Sequence, residues 1–458
     1  MSASHPALPS IYASGVAQRA DDRFALQLRL AALTVLLLPL NWLLGTTLFW
    51  VFSVALMLAR SSFRASSIEW TLVHLCGALM LGFAVAMAGG VPEERLVGPI
   101  FNVAIILMMV AFFNFGRKAQ AARSAPHAPA DRIYRMAFWC FGIQAAVIGG
   151  SQAFISLTGM NEFSIPTLIG AAGELPGILS YYSSNFLSIR DGFEVDADPR
   201  ISGVGIYPTE GAILVLTVGL LAAIHACQRG RYALAVAVEV VIAVALVVMA
   251  SRTTLAAYVV SLPLLFALGG RRLLGLILMC SPVIACVALL AAIYGPEFVG
   301  IMFEAANQSR ADSSATRFNS YRLAIAMVLD TNPLTGLGIL PKIESLSEIP
   351  IGSHSSWTSI FTRGGFIALA VWVAFNATLI VRVVRSQWRL YSQHPGIDPS
   401  RRLELVNLSR VAVVVMFWWL TEDFDFPAHH VMIAGLSLGL FWGALETPEP
   451  VRRDHAMA

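Results

Sequence analysis

Residues 210–226 read EGAILVLTVGLLAAIHA, residues 227–231 read CQRGR, and residues 232–250 read YALAVAVEVVIAVALVVMA; this stretch decides the fold. Two runs of 17 and 19 residues, almost wholly apolar, flank a short turn that carries Arg229 and Arg231. At about 1.5 Å per residue, a helix of about 20 apolar residues covers a hydrocarbon core about 30 Å thick. Strands of a membrane barrel would instead alternate apolar and polar residues over about 10 positions. The stretch therefore predicts two membrane-spanning helices joined by a basic turn.

The same pattern extends in both directions. Apolar runs at 25–44, 46–59, 70–89, 97–115, 133–157, 210–226, 232–250, 253–269, 273–294, 356–381, 404–420 and 428–445 predict an all-α, polytopic membrane protein of about twelve spans. The short second run pairs with the first as a tight hairpin. The chain, 1–458, reads as one membrane-embedded domain. Composition agrees: 57% of residues are hydrophobic, 13% are charged and the mean hydropathy is +0.70, where a soluble domain carries about 25% charged residues. The five cysteines, Cys76, Cys140, Cys227, Cys280 and Cys286, fall within or at the ends of apolar runs. They read as small buried hydrophobes, without metal-ligand spacing or a disulfide framework.

Charge between the runs sets the expected orientation. With both termini in the cytoplasm, 22 of the 31 Lys and Arg residues fall inside, counting Arg29 and Arg410 near their span ends. This is the bias that the positive-inside rule requires. The remaining nine are Arg95, Arg190, Arg200, Arg252, Arg310, Arg317, Arg322, Lys342 and Arg363. A polar leader precedes the first span without an obvious cleavage site, so no cleavable signal peptide is expected. Two outer loops are long, about 158–209 and 295–355. Both carry aromatic and aliphatic residues and read as ordered; segments 297–307 and 317–329 show apolar residues at helical spacing. The latter, with Tyr321, Ala324, Ile325 and Val328 on one face, predicts an interfacial or re-entrant helix.

Chemistry belongs in these outer loops. Arg252 stands at the junction of two apolar runs, on the side where arginine is disfavoured, which marks it as facing a cavity or partner. The second loop reads Thr316-Arg317-Phe318-Asn319-Ser320-Tyr321-Arg322, then Pro333-Leu334-Thr335-Gly336-Leu337-Gly338, then His354-Ser355-Ser356-Trp357 and Gly364-Gly365. A basic helix is followed by a Pro/Gly turn that lets backbone approach a ligand closely. Arginine forks bind phosphate bidentately, and a histidine at a water-accessible helix start exchanges a proton near neutral pH. Together these residues point to a diphosphate site with a base beside it. Arg200 and Glu210 flank another span start, where Glu210 has Arg200 and Arg252 as alternative partners. Glu422, Asp423 and Asp425 crowd the turn before His429 and His430 and read as a solvated turn. Asp196-Ala197-Asp198 lies in a charge-rich loop and reads as an acidic or sugar-binding strip rather than a metal site.

Over about residues 195–370 the chain resembles the O-antigen ligase and polymerase family of bacterial envelope enzymes. The matching positions are Arg317 and Tyr321 in an Arg-x-x-x-aromatic segment, and Pro333, Gly336 and Gly338 in a Pro-x-x-Gly-x-Gly turn. His354 is followed by Gly365, Ser251-Arg252 opens a span, and Arg200, Gly203 and Pro208 precede another. Ser355 stands where the family usually has asparagine, Thr209 replaces the asparagine after proline, and Arg363 lies near a common glutamate. The resemblance implies a multi-pass protein of the bacterial inner membrane whose active site faces the periplasm. It implies transfer of an undecaprenyl-diphosphate-linked glycan onto a sugar hydroxyl, in O-antigen or exopolysaccharide assembly, with no metal or cofactor. The acceptor is a growing glycan for a polymerase or lipid A core for a ligase; the altered His-Asn pair favours the polymerase. The other partners implied are membrane lipids, and no nucleic acid. In this reading Arg200, Arg252, Arg317 and Arg322 hold the donor diphosphate, with His354 and Glu210 in catalysis. A transporter of polysaccharide or lipid-linked sugar is the rival class, marked by midplane charges, broken helices and repeated halves.

Overall fold

The computed structural model describes residues 11–59, 67–90, 97–122, 129–160, 162–173, 180, 182–189, 200–268, 311–342, 350–392, 397–423 and 428–447. Lipid offers no partner for backbone N–H and C=O groups, so apolar runs of this kind close their hydrogen bonds as helices. In chain order the helices are α1 (Ile11–Leu36), α2 (Leu38–Leu44), α3 (Thr47–Ala59), α4 (Ser67–Ala88), α5 (Val97–Ala121) and α6 (Pro129–Thr158). They continue as α7 (Leu168–Ala172), α8 (Pro208–Gln228), α9 (Tyr232–Val248), α10 (Arg252–Ser261), α11 (Ala311–Thr331), α12 (Ser356–Ser392), α13 (Pro399–Thr421) and α14 (Ala428–Glu446). A 3₁₀ segment, Leu262–Leu268, extends α10.

Among the described residues six helices are long and apolar enough to cross a membrane, or seven if the pair bent by 62° at Leu37 counts as one span. The protein is thus a helical, multi-pass membrane protein. Helices occupy every expected span except 273–294, which lies outside the described residues, as does segment 297–307. Several of these helices are shorter than a full crossing: α3, α9 and α10 with its 3₁₀ extension form a class of 10–17 residues.

Helix α8 is the axis of the bundle. Nearly all of its residues are buried, and α6, α9, α13 and α14 pack around it. Helix α14 lies along α5 through Gly435, Gly439 and Gly443, where an added Cβ would overlap the carbonyl oxygens of Met109, Phe113 and Arg117. Small residues four apart let the two backbones meet, as helix association in lipid requires.

Arg410 departs from the sequence reading. It lies not near a span end but about 16 Å into α13, at 1.5 Å per residue, and is 0% exposed. Its guanidinium grips Glu239 of α9 through both Nη atoms, the Nη2–Oε2 bond being 3.0 Å. Nη1 also donates to Asn407 Oδ1 at 3.0 Å and Nε to Ser261 Oγ at 3.4 Å. Tyr258 of α10 donates to Glu239 Oε2 at 2.9 Å. The pair ties α9, α10 and α13 together inside the bundle.

The first long loop holds a feature outside the all-α expectation, a three-stranded antiparallel sheet of β1 (Phe163–Pro166), β2 (Ser184–Ile189) and β3 (Arg200–Ile201) in the order β1-β2-β3. It rests on the α2–α3 corner. Asn185 Nδ2 donates to the Trp42 carbonyl at 2.7 Å, and Trp42 Nε1 donates to the Gly205 carbonyl at 3.2 Å. The register pairs Ile189 with Arg200, which lies buried on the edge strand β3.

Candidate functional site

Helix α11 is the basic helix that the sequence predicts. Ala324 and Val328 face inward, whereas Ile325, placed on the same face by spacing, is exposed. Ser320 and Tyr321 use this inward side to hold the His354 segment. The Gly352 amide donates to Ser320 Oγ at 2.9 Å, and the Tyr321 hydroxyl donates to the His354 carbonyl at 2.7 Å. His354 itself has φ 67°, a left-handed backbone that a non-glycine residue adopts only when its surroundings impose it.

The next residues dock on the far end of α13. Both the amide and the hydroxyl of Ser356 donate to the Glu422 carbonyl, at 3.0 and 2.8 Å. The Glu422 side chain lies 3.5 Å from Arg317 Nη1. Three segments far apart in the chain thus bring Arg317, Tyr321, His354 and Glu422 to one end of the bundle. Arg200 joins them electrostatically, since its charge also acts on the Glu422 carboxyl. At the rim Arg363 Nη2 lies 3.9 Å from Asp423 Oδ2.

Burial governs the charges here. It lowers the His354 imidazole to about 4, with the neighbouring Arg317 cation adding to the effect, so the ring is neutral at physiological pH. Burial also raises the Glu422 carboxyl above its ordinary value, against the opposing attraction of Arg317 and Arg200. Tyr321 is pushed up to about 12, again chiefly by burial, and remains a hydroxyl donor.

The Pro/Gly turn has a different role from the one its glycines suggest. Helix α12 breaks at Gly365 (φ 58°, ψ −156°), and the turn fills the break. The amides of Leu337 and Gly338 donate to the carbonyls of Thr362 and Arg363 at 2.7 and 3.0 Å. In return the amides of Phe366 and Ile367 donate to those of Pro333 and Leu334 at 2.9 and 3.2 Å. The close approach is to the chain's own helix rather than to a ligand.

The other predicted residues separate. Arg252 is exposed at the start of α10, and Arg322 is exposed on the outer side of α11. Glu210 meets neither Arg200 nor Arg252 in the way its two sequence alternatives proposed. At 2% exposure it accepts from the Ile206 amide at 2.7 Å and lies 2.9 Å from His429 Nδ1 and 3.9 Å from His430 Nδ1. The His430 ring packs on Trp418 at 4.5 Å. Of the group read as a solvated turn, Glu422 is buried, as are His429 and His430 after it, and Asp425 lies outside the described residues. The sequence places Glu422 in a turn after Trp418-Trp419-Leu420-Thr421, where it reads as solvated; its burial and its pairing with Arg317 are visible only in the structure. Asp191, Glu194, Asp196 and Asp198 lie outside the described residues. Among the described residues no group of three or more His, Cys, Asp or Glu side chains is arranged to hold a metal ion.

No curated protein matches the chain. A family model does, and the stretch it covers contains Arg252, Arg317, Arg322 and His354 but not Arg200, Glu210 or Glu422. Residues 237–373 match the model for O-antigen ligase, and over that stretch the chain is similar to a family of membrane glycosyltransferases that embraces O-antigen ligases and polymerases.

Proposed function

We propose that the protein transfers a glycan from a polyprenyl diphosphate, undecaprenyl diphosphate in a bacterial inner membrane, to a sugar hydroxyl at the periplasmic face. The observation that carries this reading is the convergence of Arg317, His354 and Glu422 at one end of the bundle, with the Arg200 charge acting on Glu422. A diphosphate leaving group needs cationic partners as the C1–O bond to phosphate breaks, and arginine forks supply them. Arg317 and Arg200 are the cations best placed for this, whereas Arg252 and Arg322 stand apart from the cluster.

Glu422 lies against Arg317. A diphosphate that takes over the guanidinium withdraws the charge that holds the Glu422 carboxyl down, so donor binding raises its proton affinity. Glu422 then accepts the proton of the acceptor hydroxyl as that oxygen bonds to C1 of the donor sugar and polyprenyl diphosphate departs. Neutral His354 donates its ring N–H to the oxygen of the same hydroxyl and orients it. Glu210, enclosed by two histidines, braces the start of α8. The break in α12 is filled by residues 333–338, so its backbone carbonyls are not free to line a transport path. This favours the transferase over the transporter.

The test is transfer by the purified protein from a labelled undecaprenyl-diphosphate glycan. The expected products are an elongated or core-linked glycan and free undecaprenyl diphosphate. Movement of the intact lipid-linked glycan across proteoliposomes without cleavage would overturn the reading. In a deletion strain, shortened polymer indicates a polymerase, and unattached polymer of normal length indicates a ligase. The polymerase is the assignment we favour.

A further inference from the structure

At the end of α12 and α13 opposite to His354 and Glu422, we infer that the protein binds the headgroup of an anionic phospholipid. The inference does not depend on the proposed reaction. Helix α12 runs 27 residues beyond its break at Gly365, about 40 Å at 1.5 Å per residue. A hydrocarbon core of about 30 Å leaves its last turns among lipid headgroups. Those turns carry Arg385 and Arg389, both exposed, with Trp388 and Tyr391 71% and 74% exposed. Exposed Trp and Tyr at such a level are interfacial anchors. Among the described residues neither Arg385 nor Arg389 has a carboxylate partner.

A small pocket opens there between α12, α13 and α14, lined by Ser386, Arg389, Arg401 and Thr447 over the apolar floor of Leu405 and Leu445. Arg401 is fixed in the pocket wall by Glu404 Oε2 at 2.8 Å and the Ala444 carbonyl at 2.5 Å. Those bonds use two of its five N–H donors. Two guanidinium groups, the Ser386 hydroxyl, an apolar floor and flanking aromatics match a phosphodiester attached to acyl chains. A soluble phosphate would use only the polar half. Juxtamembrane basic clusters recognise anionic lipid in this way.

The test uses the full chain in neutral detergent, titrated with phosphatidylglycerol or phosphatidylcholine of the same acyl chains and read by native mass spectrometry. Phosphatidylglycerol is expected to bind about 25-fold tighter or more, with about 5-fold of that preference lost in either Arg385→Ala or Arg389→Ala and about 25-fold in the double variant. The double lysine variant keeps most of the preference, because charge near an anionic headgroup matters more than the fork. Equal binding of the two lipids, or an unchanged double alanine variant that elutes as folded protein, overturns the inference. Displacement of the lipid by glycerol phosphate at equal concentration also overturns it, by showing a site for soluble phosphate.

Discussion

Replacing Arg410 by methionine removes a charge from the centre of the bundle while roughly keeping its volume. The structure sets the size of the effect. Arg410 supplies two bonds to Glu239 and one each to Asn407 and Ser261. Without it, Glu239 remains 7% exposed with the Tyr258 hydroxyl as its described donor. Removing one member of a buried pair typically costs about 3–5 kcal/mol, because the other charge is left uncompensated. Glu239→Leu alone should cost a similar amount. The double variant should recover much of the loss, since apolar replacement of a whole buried pair is often near neutral. A double-mutant cycle, read by SDS-titration unfolding in mixed micelles, measures the coupling, which should exceed about 1.5 kcal/mol in magnitude. Hydrogen bonds between membrane helices average about 0.6 kcal/mol in such cycles. A coupling at that level, or strictly additive losses, would refute the picture of a charged clamp across α9, α10 and α13.

The remaining expectations concern the site. Glu422→Gln should lower transfer by about 10²-fold or more while donor binding persists; Glu210→Gln should mainly reduce the yield of folded protein, and the reverse ranking of the two variants would exchange their roles. His354 is depressed to about 4 from 6.5, so the unfolded chain binds the proton more readily. Its contribution to stability is therefore complete above about pH 6.5 and is lost as the pH falls towards about 4, which pH-dependent thermal unfolding of wild type against His354→Gln measures. Removal of Arg317 by Arg317→Met should move the His354 titration upward but not fully to its ordinary value, because burial is the larger cause. Gly338→Ala forces a side chain onto φ 71° and places its Cβ 2.5 Å from Ala86 Cβ and 2.6 Å from the Gly82 carbonyl oxygen. It should cost about 2–5 kcal/mol and show as early loss of the monodisperse peak on heating.

Much of the architecture is legible along the chain. The runs 210–226 and 232–250 become α8 and α9 almost residue for residue, because hydropathy over about 20 positions reports directly on a helix in lipid. The helical spacing after Arg317 likewise becomes α11, and the order Arg317, His354, Gly365 was enough to signal the family resemblance. Partnership was not legible. Ser356 meets Glu422 across 66 residues, Arg410 meets Glu239 across 171, and Glu210 meets His429 rather than an arginine. The turn at 333–338 looked like a ligand cradle until the break at Gly365 was seen to receive it. Periodicity and propensity are local, so they reveal each helix and the face it buries. Which charges meet is set by the angles and depths at which helices pack, and those depend on side-chain contacts between segments with no fixed spacing in the chain.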